Sequence, residues 1–235
     1  QLMHLLHNLR ARQRAVATIR AATPGGEPAR WDDDDLQAQE RSERLAKNGG
    51  DVNAVGPKGT TPLLMACSEG MVADVRLLLD ARADVKLEGV EWKEEDDDEE
   101  PAQDFPLAAA ARRGHPDVVG MLLVQEGMDV NQGTTDAGRT AMLRACCGGH
   151  KEVVGMLLAY EGIDANKGKT DDGTTSLLIA CQEGHTEVVG LLLACDGVDV
   201  NKATTDDGST PLYMACQDGH TEVVGLLLTC DAVAV

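Results

Sequence analysis

The sequence predicts an all-α solenoid: about five helix-turn-helix units joined by β-turn fingers, behind a degenerate N-terminal helical cap. Three observations carry this. Gly-His recurs at 114–115, 149–150, 184–185 and 219–220, a constant step of 35 residues. Residues 166–200 align on 201–235 with 25 identities in 35 positions. Each unit then passes from a turn signal into two short apolar-periodic stretches, and helices that short are not stable alone in water. Stacking on neighbours is how their apolar stripes become buried.

The last unit shows the local logic best. Asp206-Asp207-Gly208 is a turn signal, Thr210 an N-cap, and Pro211 sits at N1, where its missing N–H is no loss. A first helix through Leu212 and Ala215 ends at Gly219 as a left-handed C-cap. Val223, Val224, Leu227 and Leu228 form the apolar stripe of the second helix. By the same spacing the first helices fall near 61–69, 105–113, 140–148, 175–183 and 210–218. Departures are local: Met71 stands where other units have His, Phe105 where they cap with Thr, and Ala141 and Ser176 where they have Pro. Gly120, Gly155, Gly190 and Gly225 interrupt the second helices, each at roughly 0.5–1 kcal/mol relative to Ala, and are expected on the solvent side.

Between the first two units the glycine step stretches to 44 residues, from Gly70 to Gly114. The excess is acidic: residues 88–104 hold ten carboxylates and one Lys, so nearly half of the net charge of -19 sits there. Such a run repels itself and reads as a disordered insertion over about 88–104. A docking element for a basic partner, with Trp92 as anchor, is the sharper reading; calcium is disfavoured because the run lacks EF-hand spacing. Residues 1–48 carry a leucine face (Leu2, Leu5, Leu6, Leu9) followed by Arg10, Arg12, Arg14 and Arg20, and a second helix from about 33 to 47. They read as a polar helical cap, with a basic amphipathic helix for a membrane surface or partner as the alternative. The last unit has no polar outer face, so the expectation is that the array continues or that the chain end is truncated.

Composition narrows the functional classes. An excess of 40 Asp+Glu over 21 Lys+Arg argues against nucleic acid, which needs a basic face. The best apolar run, 118–124, is far short of a membrane span. Seven cysteines, four of them in Ala-Cys pairs at corresponding places of the units, suggest a reducing compartment: cytoplasmic, with a nuclear location left open. Cys146 and His150, Cys181 and His185, and Cys216 and His220 are four apart, but a helix-ending Gly separates each pair and each lies in its own unit. A phosphate loop at 162–170 fails because Ile163 stands where Gly is required. No catalytic residues, cofactor site or metal site are expected.

The run Thr-Pro-Leu-x-x-Ala-x-x-x-Gly-His-x-Glu-Val-Val-x-Leu-Leu-Leu, followed by Gly-Val-Asp-Val-Asn at 197–201, resembles ankyrin repeats. The resemblance covers about 49–235 with a period of 35 instead of about 33. It implies a non-enzymatic scaffold or adaptor, a monomer that binds a protein segment on a concave surface of fingers and first helices; the acidic C-terminal end of that surface makes a basic segment the expected one. It also implies a structural His hydrogen-bonded across the turn. Positions that vary among near-identical units are the candidate contacts. On the first helices these are Ser68, Glu69, Arg112, Arg113, Gln182, Glu183, Gln217 and Asp218; on the fingers, Asp136, Arg139, Asp171, Asp172, Asp206 and Asp207. The alternative is a regulatory or targeting region of a larger multidomain enzyme such as a kinase or ubiquitin ligase.

Overall fold

The computed structural model describes residues 51–56, 59–91 and 102–230. The expected cap over 1–48, the Trp92 anchor and the acidic run 92–101 lie outside them. Five helix pairs follow one another: α1 (Pro62–Ser68) with α2 (Val72–Asp80), α3 (Pro106–Arg113) with α4 (Pro116–Leu123), and α5 (Ala141–Cys147) with α6 (Lys151–Leu158). The last two are α7 (Ser176–Gln182) with α8 (Thr186–Leu193) and α9 (Pro211–Gln217) with α10 (Thr221–Leu228). First helices pack on first helices of the adjacent units, and second helices on second helices. The all-α solenoid is therefore observed.

Each first helix begins where the capping chemistry places it. The hydroxyls of Thr61, Thr140, Thr175 and Thr210 accept from the backbone N–H three residues on. Ala141 and Ser176 keep this cap without proline. Phe105 makes no capping bond and is instead fully buried, the largest such side chain among the described residues. Along the array the core is a set of columns: Ala66, Ala110, Ala145, Ala180 and Ala215 are all buried, and Leu78, Leu122, Leu157, Leu192 and Leu227 likewise. Small residues let adjacent helices approach, and the leucines fill the space between pairs.

The insertion departs from expectation at both ends. Residues 89–91 form β1 (Gly89–Glu91) and pair antiparallel with β2 (Ala102–Asp104), Val90 opposite Gln103. A disordered stretch over about 88–104 is thus corrected for these six residues. The cause is local anchoring that the charge run conceals: the Val90 N–H donates to the Gly59 carbonyl, its own carbonyl accepts from the Thr60 hydroxyl, and Asp104 is buried.

A Cβ at Gly155, Gly190 or Gly225 would meet nothing within 4 Å, as expected for solvent-side positions, whereas one at Gly120 would approach Met156 at 3.1 Å. Gly155→Ala and Gly190→Ala should each raise stability by about 0.5–1 kcal/mol. Thr175→Ala should lower it by about 1 kcal/mol. Urea midpoints at constant slope will check all three.

Candidate functional site

The surface of interest is built from the C-terminal ends of the first helices and the finger tips. A repeated latch positions the helix ends. Gly114 has φ 72 and ends α3, and a Cβ there would lie 2.4 Å from His150 Nδ1 of the next unit. The position therefore needs glycine twice, for its left-handed backbone and for the ring packed over it. His150 Nε2 donates to the Arg112 carbonyl at 2.8 Å. His115 to Ser68, His185 to Cys147 and His220 to Gln182 repeat the bond at 2.8–3.0 Å. The histidine is structural, but its bond runs to the preceding unit and not across its own turn as expected, so it bridges consecutive units.

This latch sorts the candidate residues on the helices. The carbonyls of Ser68, Arg112 and Gln182 face the neighbouring imidazole. Of the side chains, Gln182 and Gln217 are exposed and Arg112 half-buried; Ser68 is buried, so its hydroxyl does not belong to an open contact surface. Glu69, Arg113, Glu183 and Asp218, one residue further on, are all exposed.

The finger carboxylates divide in the same way. Asp172 accepts from Lys169 Nζ and the Thr174 N–H, both at 2.8 Å; Asp207 accepts from the Thr204 hydroxyl at 2.6 Å and the Ser209 N–H at 3.0 Å. In the third unit position 137 is Ala, and Asp136 takes over, binding Thr134 Oγ1, the Ala137 N–H and Arg139 Nη1. Asp171 and Asp206 are exposed and accept the short turn bond from the next N–H. The Thr204 hydroxyl and the Ser209 N–H hold Asp207 down to about 2. For Asp172 burial works upward, but Lys169 and Thr174 outweigh it and the pKa lies well below the ordinary range. Asp136 is also lowered: burial opposes, while Thr134, the Ala137 N–H and Arg139 prevail.

One charged cluster went unnoticed in the sequence. Asp104, fully buried, receives Arg112 Nε on Oδ2 at 3.0 Å and Arg144 Nη2 and Nε on Oδ1 at 2.9 Å. Arg144 also donates to the Gln103 carbonyl at 3.1 Å. The strand β2 thereby joins the first helices of the second and third units. Burial pushes the Asp104 carboxyl up to about 6 against the pull of Arg144 and Arg139. Burial, then repulsion from Arg144 and Arg113, pushes Arg112 down to about 10. The sequence carries only a partial, columnar signal: Asp104 and Arg139 occupy the position held by Thr60, Thr174 and Ser209 in the other units, yet the residues that engage Asp104 are Arg112 and Arg144.

A second overlooked device is an asparagine bridge. Asn131 Nδ2 donates to the Gly162 carbonyl at 2.7 Å while its Oδ1 accepts from the Asp164 N–H at 2.8 Å; Asn166 repeats both to Gly197 and Asp199. Lys167 and Lys202 reach back to the carbonyls of Asn131 and Asn166, so these lysines hold units together.

The family model for ankyrin repeats (3 copies) matches residues 87–169 and 161–234, and that for a single ankyrin repeat matches 58–89. The chain belongs to the ankyrin repeat family. Ankyrin repeats are generally protein–protein interaction modules, typically non-catalytic. No curated protein matches the chain. Among the described residues of this ankyrin array, no group of three His, Cys, Asp or Glu could hold a metal ion, and no helix is long and apolar enough to cross a membrane. Cys67 and Cys146 are buried with pKa values driven up by burial, and Cys181 is pushed up to about 12 for the same reason; these thiols are packing groups.

Two outcomes follow for the charged groups. Asp104→Ala leaves two half-buried guanidinium groups without their carboxylate and should cost about 3–5 kcal/mol, with Asp104→Asn costing less, in urea unfolding. Because Asp172 and Asp207 titrate lower when folded than unfolded, their contribution is present above the ordinary aspartate pKa and lost as pH falls through the folded values. The thermal midpoint should therefore drop between about pH 4 and 2, and an Asp172→Asn, Asp207→Asn double variant should flatten that drop.

Proposed function

We propose that this ankyrin array is a non-catalytic scaffold or adaptor that holds a segment of a partner protein along the concave side lined by fingers and first helices. The carrying observation is the contrast between columns. Buried columns repeat the same residue types from unit to unit, whereas the exposed position before each C-terminal glycine reads Glu69, Arg113, Gly148, Glu183 and Asp218. A surface that varies on a constant frame is where partner choice can reside.

Charge selects the kind of segment. Towards the C-terminal end, Asp171, Glu183, Asp206 and Asp218 are exposed carboxylates that no ion pair engages among the described residues. A basic segment would meet them there, with attraction that speeds encounter and fades with salt. In the second unit the exposed residue before the C-terminal glycine is Arg113, whereas Arg112 and Arg144 are engaged by Asp104 and Arg139 by Asp136.

Affinity capture with the intact chain, followed by mass spectrometry, identifies the partner. A variant carrying Asp171→Lys, Glu183→Lys, Asp206→Lys and Asp218→Lys should weaken that binding at least about tenfold at unchanged helical content. Undiminished binding would rule out the finger-and-helix surface.

A further inference from the structure

The residue before each left-handed glycine is exposed in all five units, as Glu69, Arg113, Gly148, Glu183 and Asp218. The residues one step earlier bring no competing charge to this row. Ser68 is buried, Arg112 is held by Asp104, and Cys147, Gln182 and Gln217 are a thiol and two amides. In the third unit a Cβ at Gly148 would lie 2.4 Å from His150 Nε2, which leaves no room for a side chain. From the first unit to the fifth the row is therefore negative, positive, bare backbone, negative and negative.

The acids sit where their own helices disfavour them. Glu69, Glu183 and Asp218 are the C-cap residues of α1, α7 and α9, beside carbonyls that carry the negative end of the helix dipole. No basic residue stands in the last turn of these three helices, whereas α3 has Arg112 and Arg113 there. An acid kept at such an end lowers the stability of the fold. A cation brought by a partner would gain from the carboxylate and the carbonyls alike. Local choices that work against the fold concentrate at functional positions.

The histidine latch recurs at 2.8–3.0 Å between units, so the row has a constant step. Packed helices lie about 8–10 Å apart and an extended chain advances about 3.3 Å per residue, so about three residues of an extended partner span one unit. We propose that the array selects an extended protein segment by charge register: base, acid, any residue, base and base, three residues apart, facing the first to the fifth unit. This rests on the finger-and-helix surface proposed for partner binding, and names the partner that surface fits. The fourth and fifth units favour arginine, because Asp171 and Asp206 add an exposed finger carboxylate to each and a guanidinium offers five donors. A uniformly basic segment meets repulsion at Arg113, so basic composition alone does not qualify.

The test selects phage-displayed random peptides of about thirteen residues on the intact chain at about 20 mM salt, where surface charges are weakly screened. Enriched sequences should carry bases at positions 1, 10 and 13 and an acid at position 4, in either chain direction. Selection on Arg113→Glu should turn the acid into a base, and selection on Glu183→Lys should turn the base at position 10 into an acid, each leaving the other positions as they were. Synthetic peptides should bind the mismatched chain about tenfold more weakly and regain affinity on the chain that selected them. Glu183→Lys should meanwhile keep or raise the urea midpoint, since it removes an acid from a helix C-terminus; a fall would overturn a partner role for Glu183. Enriched peptides without charge, charges without the three-residue step, a step that ignores the two substitutions, or no enrichment at all would overturn the register. The Asp171→Lys, Glu183→Lys, Asp206→Lys, Asp218→Lys variant separates the two levels of failure. If it loses peptides that show no register, the surface stands and the register falls; if it retains them, the surface falls as well.

Discussion

Each unit is held to the next by an imidazole packed over a left-handed glycine and hydrogen-bonded to the carbonyl two residues earlier. Helices of seven to nine residues have too little cooperativity to persist alone. The latch fixes the height at which one pair meets the next, and every other contact between units follows from that height. The asparagine bridges, the lysines reaching back and the finger-to-finger backbone bonds all recur at the same spacing because the latch sets it.

This dependence explains what the sequence disclosed. Periodic features were legible because one physical requirement is written several times: the Thr caps, the C-terminal glycines and the Val-Val-x-x-Leu stripes each appear where a 35-residue step puts them. The hairpin was hidden because ten carboxylates dominate the composition of 88–104, while the bonds that order its ends are made by backbone at Val90 and by one buried side chain, Asp104. That side chain looks like one more acid in a run of acids. Only the approach of Arg112 and Arg144 from two different helices distinguishes it, and neither lies next to it in sequence.

The candidate surface was legible in outline and not in detail for a related reason. Variation among units marks positions freed from the core, and Glu69, Arg113, Glu183 and Asp218 are indeed exposed. Variation does not separate a carboxylate that folds a turn from one that faces outward. Asp171 and Asp172 are adjacent and chemically identical, yet Asp172 closes its finger through Lys169 and Thr174 while Asp171 points to solvent. Ser68 illustrates the converse: it varies with its column but is buried in the first unit. Net charge alone likewise says little about either role.

The buried carboxylate between the second and third units has a mechanical consequence. In a stack where each layer touches only its neighbours, tension applied at the C-terminal end peels layers off in sequence, the last first. The other joints yield by sliding apolar columns and exchanging hydrogen bonds and solvent-accessible lysine contacts for water. The joint clasped by Asp104 must instead separate a carboxylate from two guanidinium groups in a poorly hydrated place, which makes it the firmest step in the peel. The two units on its N-terminal side, with the hairpin between them, would be the last part of the ribbon to unwind.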